Sequence, residues 1–367
     1  MYHNVFSGRR VLVTGHTGFK GSWLTTWLLK LGAEVAGFSI DIPTTPSNFE
    51  ILGLSSRIRD YRGDIRDRER FATVVDEVRP DIVLHLAAQA LVRQSYEEPA
   101  LTFEVNALGT LNVLEVLRTR PWIGAAIMVT SDKCYRNVEW VWGYRESDVL
   151  GGEDPYSGSK GAAELIAYAY ISSFFRQSAA ATAVATARAG NVIGGGDWAA
   201  DRIVPDCVRA WSSGDTAVLR HPGATRPWQH VLEPLSGYLL LASRLWARDQ
   251  RSTGESYNFG PALSVNESVE TLIREIGQSW PAAKWRVDEA SRSTRPEARL
   301  LKLSCDKALA DLSWRTILTF PETVEFTAQW YRRHADGGAE AMFNFTLQQL
   351  DQYCGLAAQR GLEWALT

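Results

Sequence analysis

Residues 15–21, GHTGFKG, directly follow the apolar run VLV at 11–13, and this stretch decides the fold. An apolar strand that enters a glycine-rich turn and continues into a helix is the arrangement that holds the pyrophosphate of a dinucleotide. We expect Gly15 to permit the turn, Gly18 to let the backbone approach a phosphate, and Gly21 to let the helix pack closely on the strand. The helix would then offer free N–H groups and a partial positive charge to the anion.

The composition is that of an ordinary globular protein. Of 367 residues, 45% are hydrophobic and 22% are charged, and 39 lysines and arginines against 42 acids leave a net charge of −3. Without an excess of positive charge, we expect no nucleic-acid partner. We find neither an apolar run long enough to span a membrane nor an export signal, and so expect a cytoplasmic protein without a membrane partner.

The cysteines and histidines indicate neither a disulfide framework nor a metal site. The four cysteines form no CxxC pair, as expected of reduced thiols in a cytoplasmic protein. None of the six histidines has HxxxH or HExxH spacing, so we predict that no metal is bound.

Strand and helix patterns alternate through the first half of the chain. This predicts an α/β fold, a Rossmann-like doubly wound parallel sheet over residues 1–190. Over 191–367 we predict a smaller mixed α/β lobe that binds substrate, with a segment near 225–260 returning to the first domain. We predict a strand over residues 255–260 and leave open which of the two lobes it belongs to. The predicted strands are 10–13, 34–39, 58–61, 81–86, 125–129 and 182–188; the helices are 21–31, 67–78, 100–118, 155–176, 201–212, 231–248, 264–278 and 320–350.

Two of these helices carry more apolar surface than one sheet face requires. Residues 162–175, AAELIAYAYISSFF, are apolar nearly all round, whereas a helix on a sheet needs only one stripe. We therefore expect a homodimer through a four-helix bundle, with burial under the second lobe of the same chain as the alternative. The sequence does not distinguish a dimer from a tetramer. The stripe of the neighbouring helix is Leu101, Val105, Leu108, Leu111 and Leu114.

A tyrosine–lysine pair stands near the start of the helix predicted over 155–176. Tyr156 and Lys160 are four residues apart and share one helix face. An ammonium beside a phenol favours the phenolate, so we expect the pKa of Tyr156 to fall toward neutrality. A phenolate can take the proton of a sugar hydroxyl while hydride leaves the same carbon. This spacing is common on solvent-exposed helices, so it indicates a catalytic pair only in combination with the glycine turn upstream.

The triplet Ser131, Asp132 and Lys133 follows the strand predicted over 125–129. Residues just beyond the carboxyl end of a parallel strand face the ligand crevice. An acid beside a base at that place can transfer protons. The alternative is a loop with a capping serine and an incidental ion pair.

Together these motifs resemble the extended short-chain dehydrogenase/reductase family, and within it the branch of CDP-glucose 4,6-dehydratases. The resemblance extends from the first strand to about residue 315. The collinear segments that carry it are GHTGFKG (15–21), GDIRD (63–67), LAAQ (86–89), TSDKCY (130–135), EWVWGYRE (139–146), PYSGSKGAAEL (155–165), RAGNVIGGGDW (188–198) and RPWQHVLEPLSGYLLLA (226–242).

The resemblance implies an NAD-dependent lyase. Hydride passes from carbon 4 of the glucosyl unit to NAD⁺ while Tyr156, supported by Lys160, takes the hydroxyl proton. The proton on carbon 5 and the hydroxyl on carbon 6 are then lost, and the hydride returns to carbon 6. The product is CDP-4-keto-6-deoxyglucose, as used for the deoxysugars of surface polysaccharides such as O-antigen.

The related dTDP-glucose enzymes carry the triplet Thr-Asp-Glu. Asp132 carries over as the general acid for the leaving hydroxyl, and Ser131 as a hydrogen-bond donor to the sugar. Lys133 replaces the glutamate base. It can accept the carbon 5 proton only as a neutral amine, with its pKa lowered by burial or by cations such as Lys160. We hypothesise that Lys133 is the carbon 5 base.

The resemblance places NAD on three loops. Asp41, or alternatively Ser39, would bind the adenosine ribose, and because no arginine lies near Asp41 we expect NAD rather than NADP. Asp64 would lie near the adenine amino group, Ile65 against the ring, and Asn106 would brace the adjacent loop. The expected cofactor-binding residues are Gly15, His16, Thr17, Gly18, Phe19, Lys20, Gly21, Asp41, Asp64, Ile65, Leu86, Ala87, Ala88, Asn106, Tyr156 and Lys160.

His16 replaces the small residue that many relatives have in this turn. We expect its imidazole beside the phosphates, where together with cationic Lys133 it would loosen NAD⁺ binding. A simple hydrogen bond to a phosphate is the alternative. The purified protein is therefore predicted to carry little bound cofactor.

Arginines suit the diphosphate of a nucleotide sugar because their guanidinium groups bind it in a bidentate manner. The base itself is not determined by any single residue. Trp140 and Trp142 are expected to anchor their loop. The expected substrate-binding residues are Gln89, Arg93, Ser131, Asn191, Arg202, Arg226 and Arg299.

Two other functions stay open. A 4-epimerase, or a dehydratase of dTDP-, UDP- or GDP-sugars, would use the same Tyr156, Lys160 and NAD. The pair of Asp132 and Lys133 speaks against an epimerase, which expels no hydroxyl. A non-catalytic NAD-sensing regulator would not need the tyrosine and lysine that this chain retains.

Overall fold

A seven-stranded parallel sheet lies at the centre of the computed structural model, which describes residues 1–176, 182–280, 283–288, 300–337 and 341–366. The strands stand in the order β11-β6-β5-β4-β1-β2-β3. The chain runs from β1 outward to β3 and then crosses back to β4 beside β1, which opens a crevice at the carboxyl edge. The strands are β1 (Arg10–Thr14), β2 (Glu34–Ser39), β3 (Arg59–Arg62), β4 (Ile82–His85), β5 (Ala125–Val129), β6 (Ala183–Ala189) and β11 (Ser256–Phe259).

Helices cover both faces of this sheet, so the predicted doubly wound α/β fold is confirmed. Alternate residues of β1 enter different cores: Val11 and Val13 pack with the first helix, and Leu12 packs on the other face. The helices are α1 (Phe19–Lys30), α2 (Asn48–Ile51), α3 (Arg68–Val78), α4 (Val92–Glu97), α5 (Pro99–Phe103), α6 (Gly109–Arg118), α7 (Pro155–Tyr170), α8 (Ile203–Ser212), α9 (Leu232–Trp246), α10 (Val269–Gln278), α11 (Asp306–Leu312), α12 (Phe320–Gly337), α13 (Met342–Gln359) and α14 (Glu363–Leu366).

The described residues also form three two-stranded sheets, and α8 and α10 pack beside two of them and against each other. The pairs are β7 (Val192–Ile193) with β10 (Gln229–His230), β9 (Thr225–Arg226) with β12 (Glu267–Ser268), and β8 (Ala217–Leu219) with β13 (Trp285–Val287). The strand left unassigned in the sequence, β11, belongs to the main sheet beside β6, and α9 packs against β5 and β6. The helix α13, near the C-terminus, packs on α1 of the sheet.

Two predicted helices differ in detail. The helix predicted over 320–350 is two helices, α12 and α13, and α12 ends at Gly337. The helix over Pro99–Arg118 contains a π-helical segment, Glu104–Leu108. This helix is long and apolar enough to span a membrane, yet half of it is buried and its elements pack against α3 and α7.

Glu233, near the start of α9, fastens the C-terminal segment to the sheet domain. Its buried carboxylate accepts hydrogen bonds from the backbone N–H groups of Ile317 (3.0 Å) and Leu318 (2.6 Å). It also accepts one from the hydroxyl of Tyr353 on α13, at 2.9 Å. Because these donors are neutral, burial dominates and raises the pKa of Glu233 to about 7.

Candidate active site

The glycine turn between β1 and α1 has the conformation that anion binding requires. Gly15 has φ +73°, and a Cβ there would lie 2.8 Å from the backbone nitrogen of Ala87. Gly18 caps α1 in an extended conformation, and in the part of the chain that the structure describes no side chain caps this helix end. A Cβ at Gly21 would overlap the carbonyl oxygen of Gly15, so this glycine packs on the turn itself. The uncapped N–H groups fit a pyrophosphate.

His16 does not face that phosphate site, which corrects the sequence-based expectation. Its ring is fully buried, with Nε2 2.9 Å from Asp60 Oδ1 and Nδ1 2.9 Å from Ser39 Oγ. It also lies edge-on against Phe49. Burial lowers the pKa of His16, although the bond to Asp60 opposes this shift. Since both ring nitrogens bond to the protein, neither is available to a phosphate.

The surroundings of Asp41 also differ from expectation. Asp41 is exposed beyond β2, and its carbonyl oxygen accepts from the Thr17 hydroxyl at 2.7 Å. The same oxygen accepts from Arg62 at 3.2 Å, so an arginine from β3 does lie near Asp41. Arg62 is remote in sequence, and it is paired with Asp60 at 2.8 Å. The absence of a nearby arginine is therefore no argument for NAD over NADP.

The loops after β3 and β4 border the rest of the turn. Asp64 is paired with Arg66 at 2.7 Å, and the hydrogen bonds of that arginine outweigh burial and lower the pKa of Asp64. Ile65 is buried against Gly109. Asn106 holds the loop after β4, accepting from Gln89 N at 2.8 Å and donating to Gln89 O at 3.1 Å. Leu86, Ala87 and Ala88 are only partly buried and so line the turn.

Ser131, Asp132 and Tyr156 come together at the carboxyl end of β5. The Ser131 hydroxyl donates to Asp132 Oδ1 at 2.9 Å, and Ser131 also opposes the rise in the pKa of Tyr156. All three side chains are buried. Burial raises the pKa of Asp132 and outweighs the opposing effects of Lys133 and Ser131. Asp132 also lies against the end of β6, where a Cβ at Gly190 would be 3.1 Å from Oδ2.

The expected lowering of the tyrosine pKa is wrong for the chain by itself. Burial raises the pKa of Tyr156 to about 12, and the cation that opposes this shift is Arg202 rather than Lys160. Lys160 is itself buried in α7, and burial lowers its pKa to about 8. Desolvation of the phenol therefore outweighs the stabilisation of the phenolate that was expected from a lysine on the same helix face. Lys133 is partly buried and faces Asp132.

Arg202 and Lys20 complete the cluster. Arg202, directly before α8, donates to Asp197 at 2.8 Å and faces Tyr156. Lys20, in the first turn of α1, interacts with Asp132 and Arg202. The expected diphosphate ligand Arg202 therefore lies beside Tyr156, and the expected cofactor ligand Lys20 lies near Asp132 and Arg202.

The other expected substrate residues have different surroundings. The Gln89 amide is bonded to Leu91 and Thr102 and serves its loop instead of facing a sugar. Arg93 reaches Asp201 at 2.5 Å, and Arg226 donates to its neighbour Thr225. Asn191 is partly buried two residues beyond β6, and Arg299 lies outside the described residues. Trp140 packs on Tyr144, whereas Trp142 is largely exposed.

A buried polar network under the cluster escaped the sequence analysis. Arg188 of β6 and Glu164 of α7 form an ion pair at 2.7 Å, and both are almost fully buried. Arg188 also donates to the Tyr135 hydroxyl at 2.7 Å, and Thr130 donates to Glu164. These bonds fix both ends of the segment that carries Ser131 to Lys133. The sequence feature that could have indicated this network is Glu164, an acidic residue one turn beyond Lys160 in an otherwise apolar part of the helix.

Comparison with known proteins agrees with this geometry. The family model described as GDP-mannose 4,6 dehydratase matches residues 12–327. A CDP-glucose 4,6-dehydratase of Salmonella typhimurium is 44% identical over 354 residues, covering 95% of this chain and 97% of the relative. A dTDP-glucose 4,6-dehydratase of Streptomyces antibioticus is 28% identical over 88% of this chain and 92% of its own.

A solved structure has the same fold. It is the UDP-glucose 4-epimerase of Thermus thermophilus in complex with NAD, which superimposes with a TM-score of 0.75 at 26% identity. The match covers 88% of this chain and 99% of the epimerase. With the family model spanning most of the sequence, the resemblance is confirmed: the chain belongs to the GDP-mannose 4,6 dehydratase family, the nucleotide-sugar dehydratases of the extended short-chain dehydrogenase/reductases.

Proposed function

We propose that this protein is an NAD-dependent lyase that converts CDP-glucose to CDP-4-keto-6-deoxyglucose. The observation that carries the proposal is the convergence of Tyr156, Ser131 and Asp132 beside an uncapped glycine turn. The 44% identity to the Salmonella CDP-glucose enzyme over nearly the whole chain supports this base and sugar.

The residues of the turn fit NAD. When bound, NAD⁺ supplies a hydride acceptor at carbon 4 that returns the hydride at carbon 6. The N–H groups at the start of α1 would hold the pyrophosphate, and the partly buried loop of Leu86 to Ala88 would line the dinucleotide. This chain shares its fold with the Thermus epimerase, which binds NAD.

Tyr156 is the residue placed to remove the proton of the carbon 4 hydroxyl. Ser131, which opposes the rise in the pKa of Tyr156, would hold the sugar hydroxyl beside the phenol. Because the pKa of Tyr156 is raised to about 12, the phenolate needs stabilising positive charge, and Arg202 supplies part of it.

Asp132 is suited to give a proton to the hydroxyl that leaves carbon 6. Its burial raises its pKa and thereby favours the protonated form that a general acid requires. Lys133, which faces Asp132, is the proposed base at carbon 5. A Lys133→Ala enzyme that exchanged the carbon 5 proton with solvent at the normal rate would rule out that role.

Mass spectrometry after incubation with CDP-glucose and NAD⁺ tests the function. We expect loss of water from the nucleotide sugar, abolished in Tyr156→Phe and Asp132→Asn. An epimerase would leave the mass unchanged, and a sensor would leave the sugar untouched. Parallel reactions with dTDP-, UDP- and GDP-glucose test the base, and faster turnover of one of these would refute the CDP assignment.

We further propose a homodimer through the face of α5, α6 and α7. Apolar side chains there are exposed by 40–66% in the single chain, which supports burial against a second copy. They are Phe103, Leu108, Leu165 and Tyr168. Light scattering after gel filtration should give a dimer that Leu165→Arg dissociates. Leu309→Arg, at a comparably exposed position on α11, is the control that should remain dimeric.

A cytoplasmic role in making deoxysugars for surface polysaccharide is proposed with the function. The four cysteines are all free thiols, which supports a reducing compartment. Cell fractionation would test this location.

A further inference from the structure

The buried carboxylate of Glu164 joins three elements around the active site. Its Oε1 atom accepts a hydrogen bond from the hydroxyl of Thr130, which directly precedes the catalytic triplet. Its Oε2 atom accepts from Arg188 of β6 at 2.7 Å and from Thr186 of the same strand at 3.0 Å. Glu164 itself lies on α7, the helix that carries Tyr156. One side chain therefore connects the helix of the proposed base with the segment of the proposed acid.

The triplet is held from both of its ends. On the N-terminal side, the backbone N–H of Thr130 donates to the carbonyl oxygen of Ala187 in β6 at 2.9 Å. On the C-terminal side, the hydroxyl of Tyr135 accepts from Arg188 at 2.7 Å and donates to Asn258 at 2.7 Å. The chain between these two points makes a single short 3-10 turn. The position of the triplet therefore depends on its two anchors, and Thr130 is the anchor whose side chain bonds directly to α7.

Helix α7 also packs closely on this turn. A Cβ at Gly161 would lie 3.3 Å from the carbonyl oxygen of Cys134, so the helix and the turn are in direct contact. Burying an ion pair such as Glu164 and Arg188 gives little or no more stability than apolar residues of the same volume would give. The pair is better explained by the geometry that it imposes, because a carboxylate oxygen fixes the direction of its donor and an apolar contact does not.

We propose that Thr130 is a positioning residue, whose hydrogen bond to Glu164 sets how the triplet stands relative to Tyr156; this role rests on the proposed function. Asp132 follows Thr130 by two residues, so a shift at Thr130 moves the acid relative to the phenol. The base at carbon 4 and the acid at carbon 6 must reach the same hexose, and a misplacement of about 1 Å can cost about 100-fold in rate. Because the bond is made to α7, it holds the acid in register with the helix that carries the base.

The first test compares two buried threonines that donate to opposite oxygens of the same carboxylate. Thr130→Val removes the bond to Oε1, and Thr186→Val, the matched control, removes the bond to Oε2. Thr186 also donates to Ser256 at 2.9 Å, so the control should lose at least as much stability in urea. In Thr130→Val, kcat with CDP-glucose should fall at least about tenfold while the KM for NAD⁺ stays the same. In Thr186→Val, kcat should remain close to that of the wild type, and Thr130→Ser, which keeps the hydroxyl, should restore most of the rate.

The second test needs neither substrate nor cofactor. Infrared spectroscopy follows the C=O stretch of protonated Asp132 as a function of pH, assigned by its loss in Asp132→Asn. Burial holds the pKa of Asp132 above its usual value, so a triplet released toward solvent should titrate at lower pH. We expect a lower midpoint in Thr130→Val and an unchanged midpoint in Thr186→Val. The charged and titratable groups that face Asp132, which these variants leave in place, are Lys20, Lys133, Cys134, Tyr156 and Tyr238.

Either of two results would overturn the proposal. One is a kcat that is the same in Thr130→Val and Thr186→Val, which would make the bond to Thr130 a contribution to stability only. The other is an Asp132 midpoint that is the same in Thr130→Val and the wild type, which would mean that the triplet keeps its place without the bond. If Thr130→Val does not fold, Thr130→Ala removes the same hydroxyl and replaces it in both tests. If the wild-type protein dehydrates no nucleotide sugar, the proposed function fails, and the infrared midpoint still reports whether Thr130 positions the triplet.

Discussion

Replacing Glu233 by glutamine should make the protein more stable at neutral and alkaline pH. The folded state raises the pKa of Glu233 from 4.5 to about 7, so between these values it binds more protons than the unfolded chain. The free energy of unfolding therefore falls as pH rises across this window, and the loss is complete above pH 7. At about 1.4 kcal/mol for each pKa unit, the loss is about 3 kcal/mol.

Glutamine is the suitable replacement because it keeps all of the hydrogen bonds except the second branch from the Ile317 N–H to Oε2, at 3.0 Å, and Ile317 still donates to Oε1. Glu233 Oε1 already accepts from both Ile317 and Leu318, and the amide oxygen can do the same. The amide NH₂ can donate to the Tyr353 oxygen, whose hydroxyl then turns to Ser236, 3.2 Å away. Glu233→Gln should match the wild type below pH 4.5 and exceed it by about 3 kcal/mol above pH 7.

Urea denaturation at pH 5 and pH 8 measures this difference. Glu322→Gln is the opposite control, because its bonds to Thr319 and Arg360 outweigh burial and lower the pKa of Glu322. That carboxylate stabilises the fold above its unfolded pKa of 4.5 and loses the effect only on acidification below that value, so its replacement should cost nearly the same at pH 5 and pH 8 and less at pH 3. A wild-type advantage over Glu233→Gln that grew with pH would refute the reasoning.

Three other predictions concern the site. Gly18→Ala should lower the affinity for NAD⁺ at least tenfold and leave the melting temperature unchanged, because the new Cβ would lie 3.4 Å from its nearest neighbour, the carbonyl oxygen of Gly15. Gly15→Ala should lower both the affinity and the melting temperature. Calorimetry measures the affinity, and thermal melts measure the stability. Arg188→Met should lower the free energy of unfolding by about 3–5 kcal/mol in urea titrations, because it leaves the Glu164 carboxylate buried without its ion-pair partner. The control Arg176→Met removes an exposed ion pair and should lower the free energy of unfolding by less than about 1 kcal/mol. The prediction that purified protein retains little NAD⁺ and gains activity when it is added now depends on Lys133 alone, because His16 does not face the phosphates; stoichiometric NAD⁺ after extensive dialysis would contradict it.

The sequence predicts backbone elements well where local pattern and burial agree. Residues 34–39 and 125–129 are observed as β2 and β5 with the predicted bounds, because their apolar runs end at polar or glycine-containing turns. The sheet position of β11 could not be predicted, since its pairing with β6 is set by distant contacts.

Side-chain surroundings were predicted less well, because they depend on residues far apart in sequence. The burial of His16 depends on Ser39 and Asp60, and the raised pKa of Tyr156 depends on desolvation by the folded chain. The pair of Glu164 and Arg188 joins residues 24 positions apart. Glycine positions were predictable because steric limits act locally, although Gly21 packs on the turn instead of the strand.

The outer strand β11 has a consequence for how the polypeptide matures. It is synthesised some 70 residues after β6, the strand whose free edge it protects. Until residue 259 has left the ribosome, the nascent sheet exposes an unpaired edge of the kind that recruits other chains. A fragment ending at residue 190 would therefore aggregate rather than fold as an independent nucleotide-binding unit.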